Sequence, residues 1–79
     1  MTVTVYSKPA CVQCNATYRY LDTHEIPYES IDVTQDNDAL EFIKSLGYAQ
    51  APVVAVASGD GDFGTWSGFR PDLLAQLSA

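Results

Sequence analysis

Tyr6-Ser7-Lys8-Pro9-Ala10-Cys11-Val12-Gln13-Cys14 is the stretch on which the reading of this chain turns. It continues a run of alternating β-branched residues, Thr2-Val3-Thr4-Val5, which is a strand signal. It then passes through a proline-containing turn to the only two cysteines in the 79 residues. From Cys11 to about His24 the period becomes helical. Cys14, Thr17, Tyr18 and Leu21 recur at i, i+3, i+4 and i+7 and share one face, while Arg19, Asp22 and Glu25 point elsewhere. Residues i and i+3 are neighbours on a helix surface. Their Cα separation falls within the roughly 4.4–6.8 Å that a disulfide tolerates. A CxxC set at a strand–turn–helix junction therefore reads as a redox motif.

Working outward, the residue before Pro27 is pushed out of the helical region, so the first helix is expected to close there. Tyr28 to Val33 reads as a second strand. Thr34-Gln35-Asp36-Asn37-Asp38 supplies N-cap chemistry and acidic charge for a second helix, with Ala39, Leu40, Ile43 and Leu46 inward and Gly47 as its stop. Val53-Val54-Ala55-Val56-Ala57 is a continuous apolar run, as in a strand buried on both faces. A turn at Ser58-Gly59-Asp60-Gly61 leads to a strand from Phe63 to Trp66, predicting an antiparallel hairpin. Pro71 suits the first turn of a last helix that buries Leu73, Leu74 and Leu77. The order is β-α-β-α-β-β-α. It predicts one α/β domain over residues 1–79, with a four-stranded mixed sheet flanked by three helices on its two faces.

Composition narrows the function. A net charge of −6, with only Lys8, Arg19, Lys44 and Arg70 cationic, repels nucleic acid. No apolar run approaches the roughly 20 residues needed to span a membrane. Met1 leads straight into the first strand without a secretory leader, and two cysteines are too few for a secreted disulfide scaffold. A cytoplasmic protein is expected, in a compartment where disulfides are transient and catalytic.

The chemistry follows from position. Cys11, at the helix start, lies beside unpaired backbone N–H groups at the positive end of the dipole, which favours thiolate over thiol. Cys14 lies one turn further in, on the buried face. Cys11 is thus expected to attack a partner disulfide and Cys14 to resolve the mixed disulfide. Lys8 reads either as a charge near the thiolate or as a solvated surface lysine. Val12 and Gln13 are expected to tune the site and the partner surface without reacting. A CxxC is also half of a zinc site, but the only other N/S candidate is His24, at the far end of the helix. A metal role would need two chains or carboxylate ligands, so no metal is assigned.

The run Ser7-Lys8-Pro9-Ala10-Cys11-Val12-Gln13-Cys14, the step Ala51-Pro52-Val53 and the late Trp66-Ser67-Gly68-Phe69-Arg70-Pro71-Asp72 together resemble the NrdH redoxins. These are glutaredoxin-sized members of the thioredoxin superfamily, and the resemblance covers essentially the whole chain. It implies the thioredoxin fold. It implies a thiol–disulfide oxidoreductase that takes electrons from NADPH through thioredoxin reductase and delivers them to the large subunit of class Ib ribonucleotide reductase. Beyond the cysteine pair no cofactor is implied, and a monomer is expected. Cys11 matches the family's nucleophile and Cys14 its resolving cysteine. Pro52 matches the superfamily proline that is cis and faces the disulfide, where Ala51 offers backbone groups to a docked chain.

The segment Trp66, Ser67, Gly68, Phe69, Arg70 and Asp72 stands where glutaredoxins carry a glycine pair and an acidic residue that hold glutathione, and it is assigned to partner docking. For Arg70 a structural hydrogen-bonding role stands equally beside that one. Asp72 is also explained as a helix-start charge, and Trp66 and Phe69 are also explained as core. The chain lacks the Trp-Cys-Gly-Pro-Cys of thioredoxins and the Cys-Pro-Tyr-Cys of typical glutaredoxins. The competing readings are a dithiol glutaredoxin reduced by glutathione or another small thiol, and, in another class, a metal-bridged dimer.

Overall fold

The computed structural model describes residues 1–59 and 63–78. Four strands are present, β1 (Thr2–Ser7), β2 (Glu29–Asp32), β3 (Val53–Ala57) and β4 (Phe63–Ser67). Three helices join them, α1 (Val12–Thr23), α2 (Asn37–Ser45) and α3 (Pro71–Leu74), the last tightening into a 3₁₀ turn over Ala75–Ser78. Asp60 and Gly61 of the expected turn lie outside the described residues.

The sheet order is β2-β1-β3-β4. β1 and β2 are parallel, joined by α1 as a crossover, whereas β1–β3 and β3–β4 are antiparallel. Strand alternation divides the core between two faces. Val3, Val5 and Val54 face Leu21, Ile26 and Leu74, under α1 and α3. Val53 faces the other way, onto Val33, Ala39 and Ile43, with Tyr6 and Phe42 against the same cluster. Helices thus cover both faces, and β3, with Val53 and Val54 fully buried, runs through the middle. This is the thioredoxin-like fold.

The helix ends are set locally. At the start of α2, Asp36 Oδ1 accepts from Ala39 N–H at 3.0 Å, an N-cap. Its end is a Schellman turn on Gly47 (φ 86°), with Gly47 N–H to Lys44 O at 3.0 Å and Tyr48 N–H to Ile43 O at 3.4 Å. The first helix ends at about His24, as expected, but a left-handed turn stops it before Pro27 is reached. Its last residue is Thr23, and the turn is the same two-bond one, but with Glu25 in the left-handed position (φ 56°). Ile26 N–H reaches Leu21 O at 2.9 Å and Glu25 N–H reaches Asp22 O at 3.2 Å. Burial of Ile26 beside Leu21 holds a non-glycine residue in a conformation that costs about 1–2 kcal/mol.

Candidate active site

Strand register brings three connections to one end of the sheet. Tyr6 pairs with Val53, and Val53 with Ser67, so the segments after β1, before β3 and after β4 emerge side by side. The first carries the cysteines. Ala10 takes a positive φ of 57°, turning the chain from β1 into α1. Cys11 is the N-cap of α1, still extended (φ −110°, ψ 108°), and its Sγ accepts the Cys14 N–H at 3.1 Å. Cys11 and Cys14 are joined as a disulfide with Cα atoms 5.2 Å apart. Cys14 is 1% exposed and Cys11 8%, an asymmetry in the expected direction but a narrow one. Behind the pair, the Tyr18 hydroxyl donates to Ser7 Oγ at 2.6 Å and meets Ser30 Oγ at 2.6 Å, tying α1 to β1 and β2.

The second connection holds the Ala51-Pro52 peptide, which is cis. Ala51 lines a cleft of about 340 Å³ with Lys8, Cys11, Val12, Gln13, Ala49 and Gln50. This cleft is the opening through which Cys11 meets solvent. Val12 stands 83% exposed at its rim, an apolar side chain in water beside the sulfurs. Lys8 is exposed and makes no ion pair among the described residues.

The third connection locks onto the other two. Gly68 N–H donates to Pro52 O at 2.8 Å, and Ser67 Oγ–H donates to Gln50 O at 2.9 Å. Gln13 reaches across from the cysteine turn, its Oε1 accepting from Phe69 N–H at 2.9 Å. A Cβ on Gly68 would stand 3.2 Å from that oxygen, and Gly68 has φ 88°. The conformation therefore favours glycine, and a side chain there would also crowd the Gln13 amide by a few tenths of an ångström. Gln13 is at the site, as its position between the cysteines implies, but its partner lies 56 residues away, where no local pattern points.

The other predicted site residues separate. Arg70 turns back on its own loop, its guanidinium donating to both Asp72 oxygens at 3.1 and 2.8 Å. The Arg70 bond, first, and its charge hold the Asp72 carboxyl below the usual range. The pair is exposed and lies within one segment, so it ties Arg70 to the start of α3 and not to a neighbouring loop. Trp66 is half-buried against the core, lining a groove with Val56, Leu73 and Leu77 that does not include the cysteines. Its buried Nε1 finds no hydrogen-bond partner among the described residues. His24 lies at the far end of α1, its ring stacked 4.1 Å from Tyr20.

A helix-capping cysteine at the β1–α1 turn, bonded to a buried one a turn later and sharing a cleft with the residue before a cis-proline, defines a thioredoxin-fold thiol–disulfide oxidoreductase. The glutaredoxin family pattern matches residues 3–60. The glutaredoxin-like protein NrdH of Escherichia coli is 39% identical over 77 residues, covering 98% of this chain and 89% of that protein. NrdH of Lactococcus lactis is 38% identical over 76 residues, covering 96% and 99%. The solved structure of the E. coli NrdH-redoxin superposes with a TM-score of 0.86 at 38% identity, over 98% of this chain and 95% of that one. The chain belongs to the glutaredoxin family, as a member of its NrdH branch.

Proposed function

We propose that the protein carries electrons from NADPH, through thioredoxin reductase, to the large subunit of class Ib ribonucleotide reductase. One observation supports the chemistry best: Cys11 Sγ accepts the Cys14 N–H at the mouth of a cleft, while Cys14 is closed off behind it. In the reduced form that donor and the helix dipole stabilise a Cys11 thiolate. The thiolate attacks one sulfur of a substrate disulfide and expels the other as a thiolate. Cys14, deprotonated, then attacks Cys11 Sγ, and the substrate leaves with both sulfurs reduced. The two electrons come from the cysteine pair, so no resident cofactor is needed. Lys8, Val12, Gln13, Ala51 and Pro52 shape the site, and Gly68 and Phe69 brace it through Gln13.

The choice of reductant rests on the third connection. By the family resemblance, Phe69, Arg70 and Asp72 stand where glutaredoxins hold glutathione, and here Arg70 and Asp72 engage each other. The E. coli relative is reported to have a thioredoxin-like activity profile. The setting is cytoplasmic and the working form a monomer. Among the described residues no helix is long and apolar enough to cross a membrane. NADPH oxidation with a disulfide substrate is the test, run with thioredoxin reductase and separately with glutathione plus glutathione reductase. Turnover with thioredoxin reductase alone is expected. Turnover with glutathione alone would make the protein a glutathione-dependent enzyme and overturn the assignment.

A further inference from the structure

The cysteine cleft does not end at Ala49. A second hollow of about 180 Å³ shares Lys8, Ala49, Gln50 and Ala51 with it and continues along α2. Its wall is formed by Val33, Leu40, Ile43 and Tyr48, and Lys44 stands at its edge. The two hollows adjoin at these shared residues, and together they make a groove with Cys11 in one half and an apolar floor edged by a cation in the other.

Charge makes the groove distinctive. The chain has ten acidic and four cationic side chains, yet among the described residues no carboxylate lines either hollow and two of the four cations do. Of the other two, Arg70 is held by Asp72, and Arg19 lines a separate cleft on α1. Among the described residues the ion pair of Lys44 is with Glu41, at 4.0 Å, with both side chains largely exposed. Such a pair is worth little and leaves the ammonium free for a ligand. On an otherwise negative surface, a groove with positive borders steers anions towards it.

We propose that this groove selects, among polypeptide disulfides, those flanked by an apolar side chain and a carboxylate. The apolar side chain seats among Val33, Leu40, Ile43 and Tyr48, the carboxylate lies between Lys8 and Lys44, and the disulfide reaches Cys11. The proposal rests on the oxidoreductase reading and adds a substrate class to it. The redox step is unchanged: the peptide disulfide gains two electrons, the Cys11–Cys14 dithiol loses them, and two protons pass to the released thiols.

Single-turnover reduction by the pre-reduced protein tests this. The substrates are short synthetic peptides closed by one disulfide and flanked by Glu-Leu, Gln-Leu, Lys-Leu or Glu-Ala. Each rate is normalised to that for hydroxyethyl disulfide, which is neutral and too small to span the groove. The Glu-Leu peptide should be reduced about five-fold faster than the Lys-Leu peptide at low ionic strength. It should be about three-fold faster than the Glu-Ala peptide. The charge preference should fade with added salt. Lys44→Glu should reverse the order of the Glu-Leu and Lys-Leu peptides, a change that a general loss of structure does not produce. Equal normalised rates for all four peptides, or an unchanged preference in Lys44→Glu, would overturn the proposal and leave the oxidoreductase reading standing. Failure to reduce hydroxyethyl disulfide as well would bring down both.

Discussion

Replacing Gly68 by alanine should strike the brace between the three connections. Its φ of 88° costs an L-residue about 1–2 kcal/mol. The new Cβ would stand 3.2 Å from Gln13 Oε1, so Gln13 must retreat from Phe69 N–H and give up much of a bond worth about 1 kcal/mol. Stiffening of the unfolded chain returns about 0.5 kcal/mol. The net expectation is a loss of about 2 kcal/mol, on the order of 10 °C in Tm for a domain of this size. Urea unfolding of the oxidised protein measures it. The double variant with Gln13→Ala separates the two causes, because removing Oε1 removes the crowding and leaves only the backbone cost. Gln13→Ala alone should cost about 1 kcal/mol, and the pair should fall short of additivity by about the same amount. A Gly68→Ala protein within about 0.5 kcal/mol of the parent, or strict additivity of the two changes, would refute the reasoning.

Cys14→Ser should accumulate a mixed disulfide with a protein substrate, visible on non-reducing gels, and its Cys11 should titrate below the free-thiol value of about 8.5. A midpoint at or above that value would show that the helix start does not activate the sulfur. Glu25→Gly should stabilise by about 0.5 kcal/mol, the relief of the left-handed residue outweighing the entropy added to the unfolded chain. A lower urea midpoint would mean that the Glu25 side chain contributes more than its backbone loses. Burial first, and then the bond to Asp22 (3.0 Å), raise the Tyr28 phenol above its usual 10.0. Its share of stability is therefore intact below that value and lost as pH rises through the raised one. Tyr28→Phe should make the alkaline fall in stability shallower, and an identical pH profile would count against the assignment.

The sequence was most legible where one residue type repeats. The run Val53 to Ala57 matches β3 residue for residue because Val53, Val54 and Ala55 are buried on alternating faces and Val56 and Ala57 are half-buried, which keeps the whole run apolar. The CxxC was legible as a site because its spacing and flanks are local. Helix ends were less so. Pro27 signalled a stop, but the chain had already turned at Glu25, where burial of Ile26 overrode the preference for glycine. Ala10 is a second such case, a left-handed residue that nothing in its own identity announces. The contact of Gln13 with Phe69 lay beyond reach for a different reason. A side-chain amide meeting a main-chain N–H far along the chain leaves no periodicity, and the acceptor could have served any donor nearby. Lys44 stood in a helix pattern as one more polar residue, and only the packing of α2 beside Ala49 and Gln50 places it at a hollow adjoining that of Cys11.

The bond from Cys14 N–H to Cys11 Sγ gives a single atom two occupations. The sulfur that the proposed cycle oxidises and reduces is also the atom that begins the helix. That bears on the choice of a dead variant. Serine at position 11 keeps an acceptor at the helix start and removes only the electron chemistry. Alanine removes both, and loss of such a cap is worth about 1 kcal/mol. A comparison of the two substitutions therefore reads out architecture against reactivity at one position, and serine is the control in which lost turnover can be ascribed to sulfur alone.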